Sequence, residues 1–180
     1  MKTTLLSPTD YRRTPWKNGG GVTVDIADDG DLWRFGRTPI TAPGPFSDYS
    51  GHDRLQVLVK GGGLVLQTPT GEIDVRRPLT PVRFRGETKI VSRLEAGPVE
   101  VVNLIGRRDA VAIDLVVLPA GQSRRLDAGT HLIYAPTGAA KVGERNLPAD
   151  HCLRLELGQP TMLAVSEGTI LLGSITCVSR

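Results

Sequence analysis

The density of residues that end helices and form turns constrains the fold of this sequence more than any other feature. Its 180 residues include 21 Gly and 13 Pro, about 19% of the chain where roughly 12% is usual. Gly costs conformational entropy inside a helix, and Pro removes a backbone hydrogen-bond donor. The composition therefore predicts many short strands joined by tight turns, and argues against a helical bundle.

Short apolar segments rich in β-branched residues recur from Trp16 to the end of the chain. Leu55–Val59 and Val99–Ile105 are typical of them, and turn-forming stretches such as Gly61–Gly63 separate them. This pattern is characteristic of strands joined by hairpin turns.

The best helix signal lies near the N-terminus. Ser7 is a suitable capping residue, Pro8 suits the first helical position, and Asp10 follows three residues after the cap. Pro15 would end a helix of one or two turns. We therefore expect one short N-terminal helix in a fold that is otherwise all β.

Two parts of the sequence follow the same plan. Lys89–Ile105 and Thr161–Ile175 both read as strand, glycine turn and strand, and Leu55–Gly61 has a counterpart in His131–Gly138. The pattern indicates an internal duplication, although hairpin-rich proteins also show such similarity by chance. We predict a double-stranded β-helix, or cupin-like fold, duplicated as a bicupin, with a first lobe over residues 1–108 and a shorter second lobe over 109–180 that form one compact unit.

The charge and apolar content exclude several functional classes. The chain has 22 Lys and Arg against 19 Asp and Glu, a formal charge of +3, and no run of basic residues exceeds two. A concentrated basic face for nucleic acid is therefore not expected. No stretch approaches the roughly 18 apolar residues of a membrane span, and the first residues lack the apolar core of a secretory signal. We expect a cytoplasmic protein without nucleic-acid or membrane partners.

The two cysteines predict neither a disulfide nor a redox motif. Cys152 and Cys177 form no C-x-x-C pair. In a reducing compartment such residues are commonly unpaired and buried. We expect both to be core thiols.

Metal and nucleophilic chemistry also lack support in the sequence. A metal site needs at least three converging ligands, whereas His52, His131 and His151 are each isolated. No G-x-S-x-G elbow is present, and Cys152 follows His151 directly, which on a strand turns their side chains to opposite faces. We predict no metal, no cofactor and no catalytic residue.

The first third of the chain carries the candidate binding residues. Lys17 and Asn18 precede three glycines, whose backbone amides can approach an anion closely. The alternative is a plain hairpin turn with Trp16 filling one end of a barrel. Arg34 and Arg54 lie at or near strand starts, where a planar guanidinium can bind a carboxylate. Alternatively, each forms an ordinary surface ion pair.

Four motifs in this region resemble the HutD/Ves family of bicupins. They are P-W-K-N-G-G-G at Pro15–Gly21, W-R at Trp33–Arg34, G-P-F-S-x-x-x-G-x-x-R at Gly44–Arg54 and G-P-V-x-x-x-N-L-x-x-R-R at Gly97–Arg108. The resemblance implies a double cupin without metal, associated with histidine utilisation genes. It also implies a modulator that responds to a small acid such as formate, urocanate or N-formylglutamate. The positions it transfers to a ligand site are Lys17, Asn18, Arg34, Ser47, Arg54, Asn103 and Arg107.

Our main interpretation is a small-carboxylate binding protein that modulates histidine-utilisation catabolism, and a homodimer is compatible with it. One alternative is a metal-independent isomerase or hydrolase acting on a small acid, with His52 as base beside Arg54. Another is an interaction protein that acts through its surface. A cavity lined by inward-facing arginines separates the first two interpretations from the third.

Overall fold

The computed structural model describes residues 1–16 and 19–178, which form strands, turns and loops. The chain divides into two compact units. The early unit spans Arg12–Ala110, and the late unit combines Met1–Tyr11 with the chain from Val111 onward. Within the described residues there is no helix long and apolar enough to cross a membrane.

The N-terminal segment begins with a strand, β1 (Lys2–Leu6), and the predicted helix after it is wrong. The Ser7 hydroxyl and backbone N–H donate to Asp10 Oδ2 at 2.6 and 2.8 Å, and the Asp10 N–H donates to the Ser7 carbonyl at 2.9 Å. These bonds close a single turn, and the next strand starts at Arg12. Only five residues separate β1 from β2. The capping residues therefore stabilise a turn between two strands and not a helix.

The early unit consists of two antiparallel sheets. Its strands are β2 (Arg12–Pro15), β3 (Val22–Asp28), β4 (Trp33–Ile40), β5 (Gly44–Pro45), β6 (His52–Lys60), β7 (Leu64–Thr68), β8 (Gly71–Val75), β9 (Val82–Arg85), β10 (Val91–Leu94) and β11 (Val99–Arg107). The larger sheet has the order β2-β3-β4-β11-β6-β9, and the smaller has the order β5-β10-β7-β8. A core that includes Leu58, Leu66 and Val101 holds the unit together.

The late unit has the same construction. Its remaining strands are β12 (Val111–Pro119), β13 (Ser123–Leu126), β14 (Gly129–Tyr134), β15 (Ala140–Val142), β16 (Arg145–Leu147), β17 (Cys152–Leu157), β18 (Thr161–Glu167) and β19 (Thr169–Cys177). One sheet has the order β1-β17-β14-β19-β12 and the other β13-β18-β15-β16. Ile133, Leu155 and Leu172 belong to its core.

Eight strands of each unit follow the same order. In the early unit they are β4-β11-β6-β9 and β5-β10-β7-β8, and in the late unit they are β12-β19-β14-β17 and β13-β18-β15-β16. Each of these eight early strands has its counterpart eight strands later, whereas β2 and β3 have none. The similar segments at 89–105 and 161–175 fall on matching strands. The predicted all-β, duplicated cupin-like fold is confirmed. The lobe boundary at residues 108 and 109 stays a prediction, while β1 pairs with β17 of the late unit.

Candidate functional site

The early unit contains a cavity of about 80 Å³. A water molecule needs roughly 10–15 Å³ on this measure, so the cavity has room for about five to eight waters or a small organic molecule. Residues two apart on a strand share a face, and alternate residues of β4, β6 and β11, together with Thr23 of β3, form much of its wall. The lining residues are Trp16, Thr23, Arg34, Gly36, Thr38, Ile40, Pro45, Phe46, Ser47, Tyr49, Arg54, Gln56, Val101, Asn103 and Ile105.

Arg54 on β6 is a buried cation in this wall. Its exposure is 7%, and its guanidinium carbon lies 5.1–5.2 Å from the ring centroids of Phe46, Tyr49 and Phe84. Among the described residues it forms no ion pair with a carboxylate, and its Nε has no hydrogen-bond partner. Its Nη2 donates to Asn103 Oδ1 at 3.4 Å.

Burial lowers the pKa of Arg54 to about 10, so the side chain is still charged at neutral pH. Removing a cation from water costs free energy unless a counter-charge or polar contacts compensate it. The three aromatic rings supply part of this compensation through cation–π attraction. The cation therefore has only partial compensation from the described residues around it.

A chain of polar side chains runs along the same face of the sheet. Gln56 Nε2 donates to Asn103 Oδ1 at 2.9 Å, and Asn103 Nδ2 donates to Thr38 Oγ1 at 3.5 Å. The hydroxyls of Thr38 and Thr23 are 3.3 Å apart, and Trp16 Nε1 donates to Thr23 Oγ1 at 3.0 Å. These contacts hold the polar wall in place. Gln56 Oε1 is buried and has no partner in the part of the chain that the structure describes.

Arg34 also lines the cavity, but its charge is paired. Its Nε and Nη2 donate to the two carboxylate oxygens of Asp25, the latter at 2.7 Å. Thr14 Oγ1 donates to Asp25 at 2.6 Å, and Arg12 lies 3.4 Å from the same carboxylate.

The pKa of the Asp25 carboxyl reflects two opposing influences. Burial raises it, whereas hydrogen bonds from Arg34 and Thr14 and the charges of Arg34 and Arg12 lower it more, so the pKa lies below its ordinary value. Asp25 is therefore an anion at neutral pH and neutralises Arg34. Arg54 is the buried cation that this pairing leaves without a counter-charge.

Four of the seven predicted site residues come together at the cavity: Arg34, Ser47, Arg54 and Asn103. Arg107 does not line it, and its Nε donates to the exposed Asp109 carboxylate at 3.0 Å. Arg107 therefore forms a surface ion pair.

Lys17 and Asn18 lie outside the described residues. The Trp16 N–H donates to the Gly21 carbonyl at 2.9 Å, and β2 pairs with β3. The Trp16 side chain lines the cavity.

The arrangement that an enzyme with His52 as base requires is not present. His52 does not line the cavity, and its Nδ1 lies 3.0 Å from the Ser50 carbonyl. Within the described part of the chain, no three His, Cys, Asp or Glu side chains gather as a metal site would need. The absence of a metal in the purified protein stays a prediction.

The late unit differs from the early unit at its equivalent strands. In the early unit, Gln56 on β6 and Asn103 on β11 are bonded across the sheet; in the late unit, His131 on β14 lies 2.9 Å from Ser174 on β19. His131 Nε2 also lies 2.9 Å from the Asp127 carbonyl, which can only accept. His131 is therefore buried with both ring nitrogens partnered. Burial lowers its pKa.

The two cysteines are free, but only one is a core residue. Cys152 is buried in β17, whereas Cys177 is exposed. The expectation that both thiols are buried is wrong for Cys177, because it is the last residue of β19 and lies at the end of the sheet.

Sequence reasoning missed several residues of the cavity wall. Phe46 and Tyr49 lie inside the G-P-F-S motif, and their aromatic rings flank Arg54. Gln56 follows Arg54 by two residues, and the period of two in a strand would have put both on one face. Thr38 carried no distinguishing pattern.

Fold and site together define a class of protein. It is a cupin-like protein with two similar β units, and the early unit has a small cavity whose wall combines apolar and polar side chains with a buried arginine.

The sequence matches the HutD family over residues 8–172, and the chain belongs to this family. It is 31% identical to an uncharacterized 21.2 kDa protein in the hutC 3′ region of Pseudomonas putida, over 84% of this chain and 86% of that protein. It is 27% identical to Protein Ves of Citrobacter koseri, over 93% and 92% of the two chains.

A solved structure supports the same assignment. HutD from Pseudomonas fluorescens SBW25, in a formate condition, matches with a TM-score of 0.90 and 28% identity, over 99% of this chain and 100% of that one. The predicted membership of the HutD/Ves family is confirmed, and the HutD family is associated with the histidine utilisation locus.

Proposed function

We propose that the cavity of the early unit binds a small carboxylate and that the protein thereby modulates histidine-utilisation catabolism without converting the ligand. The observation that carries this proposal is Arg54: a buried guanidinium without an ion pair among the described residues, on the wall of a cavity of about 80 Å³. A bound carboxylate would supply the missing counter-charge and accept from the guanidinium.

The composition of the wall supports binding over catalysis. Its described lining residues include arginines, amides, hydroxyls and aromatic rings, but no His, Cys, Asp or Glu. General acid–base catalysis uses such titratable groups within hydrogen-bond reach of the reacting atoms. The wall is suited to recognise an acid, and among its described residues only the Tyr49 hydroxyl is a group of this kind.

The identity of the acid is suggested by the relatives. The family is associated with the histidine utilisation locus, and one relative, HutD from Pseudomonas fluorescens SBW25, is described in a formate condition. Formate, urocanate and N-formylglutamate are therefore the first ligands to test.

The test is calorimetric titration of the protein with these three acids. An Arg–carboxylate pair shielded from water contributes roughly 1.5–3 kcal/mol. Arg54→Ala should therefore weaken binding by about tenfold to a hundredfold. Arg54→Lys should recover only part of the affinity, since it keeps the charge but loses the planar fork.

Arg124 is a matched control on a strand of the late unit. It is half-exposed and lies 3.0 Å from Asp114. Arg124→Ala should leave binding unchanged. Binding that survives Arg54→Ala but is lost in Arg124→Ala would put the ligand site in the late unit and overturn the proposal. Circular dichroism of each variant checks that the fold is retained.

A further inference from the structure

Besides the Arg54 cation, which lacks a counter-charge among the described residues, the cavity wall contains a second unsatisfied group: the side-chain oxygen of Gln56, which lacks a hydrogen-bond donor there. Gln56 is 1% exposed, and its Oε1 has no hydrogen-bond partner. A buried acceptor without a donor is costly, and such groups in proteins are generally satisfied by a ligand or an ordered water.

The orientation of Gln56 follows from its neighbours. Arg54 can only donate, so the Asn103 atom that it contacts at 3.4 Å must be the oxygen Oδ1. Gln56 contacts the same Oδ1 at 2.9 Å and must therefore present its amide nitrogen to it. Gln56 lines the cavity, and its oxygen is the amide atom left without a donor among the described residues. A reversed amide would place two acceptor oxygens against each other.

The cavity thus combines a donor and an acceptor on one strand. Arg54 and Gln56 are two residues apart on β6 and share a face, which separates them by about 7 Å along the strand. The Nε of Arg54 can donate, and the Oε1 of Gln56 can only accept. A ligand that satisfies both must carry an acceptor anion and, within a few bonds of it, a hydrogen-bond donor.

We propose that the ligand is a carboxylate that also bears an N–H or O–H group, which donates to Gln56 Oε1. This inference rests on the proposed function, in which Arg54 binds the carboxylate. The class includes hydroxy acids, N-acyl amino acids and carboxylates with an N–H heterocycle. Simple carboxylates such as formate and acetate occupy the Arg54 position but leave Gln56 unpaired, so they bind more weakly.

The experiment compares acids that differ in the donor. Glycolate carries a hydroxyl donor; acetate lacks this hydroxyl, and in methoxyacetate it is methylated. N-Formylglycine carries an N–H donor; in N-formylsarcosine a methyl group replaces that hydrogen. In calorimetric titrations, glycolate and N-formylglycine should each bind at least tenfold more tightly than their partners without a donor.

A variant separates the contribution of Gln56 from that of Arg54. Gln56→Leu should lose the preference, so that glycolate binds no more tightly than acetate and N-formylglycine no more tightly than N-formylsarcosine. Gln67 is exposed on β7, the next strand along the chain, and Gln67→Leu should keep the preference. The comparison of acids on the unchanged protein holds even if Gln56→Leu fails to fold.

The possible outcomes are distinct. If acetate and glycolate bind with equal affinity, and N-formylglycine binds no better than N-formylsarcosine, the inference is overturned while the proposed function stands. A preference for the donor acids that persists in Gln56→Leu also overturns it. If none of these acids binds, the proposed function fails and the inference fails with it.

Discussion

Arg34 and Arg54 both line the cavity, and their neighbours decide what each does. Arg34 faces Asp25, which takes two of its hydrogen bonds, whereas Arg54 faces three aromatic rings and has no ion-paired carboxylate among the described residues. Arg34 is therefore suited to position strands β3 and β4, and Arg54 to attract an anion. A single carboxylate at Asp25 accounts for the difference.

Removal of that carboxylate should destabilise the early unit. Asp25→Asn leaves Arg34 without its counter-charge, and breaking a buried ion pair costs several kcal/mol. Since 27% of the Arg34 side chain is exposed, solvent screens part of this cost, and we expect a loss of about 2 kcal/mol in the free energy of unfolding at pH 7. Urea denaturation measures it.

The pH dependence gives an independent check. The pKa of Asp25 is lower in the folded state, so its stabilisation is present above the ordinary Asp pKa of about 3.9 and is lost as the pH falls below it. The difference in the free energy of unfolding between the unchanged protein and Asp25→Asn should therefore become smaller at acid pH. Glu72→Gln at the exposed Glu72–Arg93 pair serves as a control with no measurable change. Equal stability of Asp25→Asn and the unchanged protein at pH 7 would contradict the prediction.

At the scale of elements, the aromatic part of the cavity wall is held by backbone contacts between two loops. The Tyr49 N–H donates to the Gly86 carbonyl at 3.0 Å, and the Gly86 N–H donates to the His52 carbonyl at 2.8 Å. A Cβ at position 86 would lie 2.1 Å from the Tyr49 carbonyl oxygen. Only glycine allows this approach, which keeps the Tyr49 ring 5.2 Å from the Arg54 guanidinium.

Gly86→Ala should therefore move the Tyr49 loop. Because the clash is with backbone, we expect a destabilisation of about 1–3 kcal/mol, together with weaker carboxylate binding as the ring leaves Arg54. Thermal denaturation and calorimetric titration measure the two effects. Gly138→Ala is the matched control, since nothing lies within 4 Å of a Cβ there. An unchanged melting temperature for Gly86→Ala would show that the loop does not depend on this contact.

At the scale of the whole molecule, the duplication repeats the scaffold but not the chemistry. Eight strands of each unit follow the same order, yet the polar pair on the equivalent strands is Gln56–Asn103 in one and His131–Ser174 in the other. The histidine has both ring nitrogens partnered, whereas the glutamine keeps an unpartnered oxygen. Of these two pairs, the one in the early unit is therefore the pair that leaves an acceptor without a partner among the described residues.

The cysteines offer a test of the late unit and of the oxidation state of the chain. Cys152 is fully buried, and burial raises the pKa of its thiol; Cys177 is exposed. Since thiolates are the reactive form, a thiol reagent should modify one cysteine in the native protein and both after denaturation. Cys177→Ser should abolish the native reaction.

Dithiothreitol should leave the melting temperature unchanged. A bridge between these cysteines, which are 25 positions apart, would contribute about 3–4 kcal/mol on loop-entropy grounds. A large fall in melting temperature on reduction would therefore show a disulfide and contradict the predicted cytoplasmic placement.

The sequence by itself determined the fold class and indicated four of the residues that line the cavity. Closely spaced Gly and Pro residues limit the length of any regular element, and repeated strand–turn–strand segments indicate a duplication, so the fold class follows from local chemistry. Asn103 came instead from the resemblance of the motifs to the HutD/Ves family. The N-terminal helix was wrong because Ser7 and Pro8 favour the start of a turn and of a helix alike, and the flanking strands decide between them.

Tertiary structure alone decided which charges are paired and which polar atoms lack partners. Asp25 and Arg34 are nine residues apart and meet because β3 pairs with β4. Arg54 and Asn103 are 49 apart in sequence and meet because β6 pairs with β11. Local patterns establish that an arginine lies on a strand, but its electrostatic environment depends on long-range strand pairing. That pairing neutralises Arg34 and leaves Arg54 and Gln56 facing a cavity.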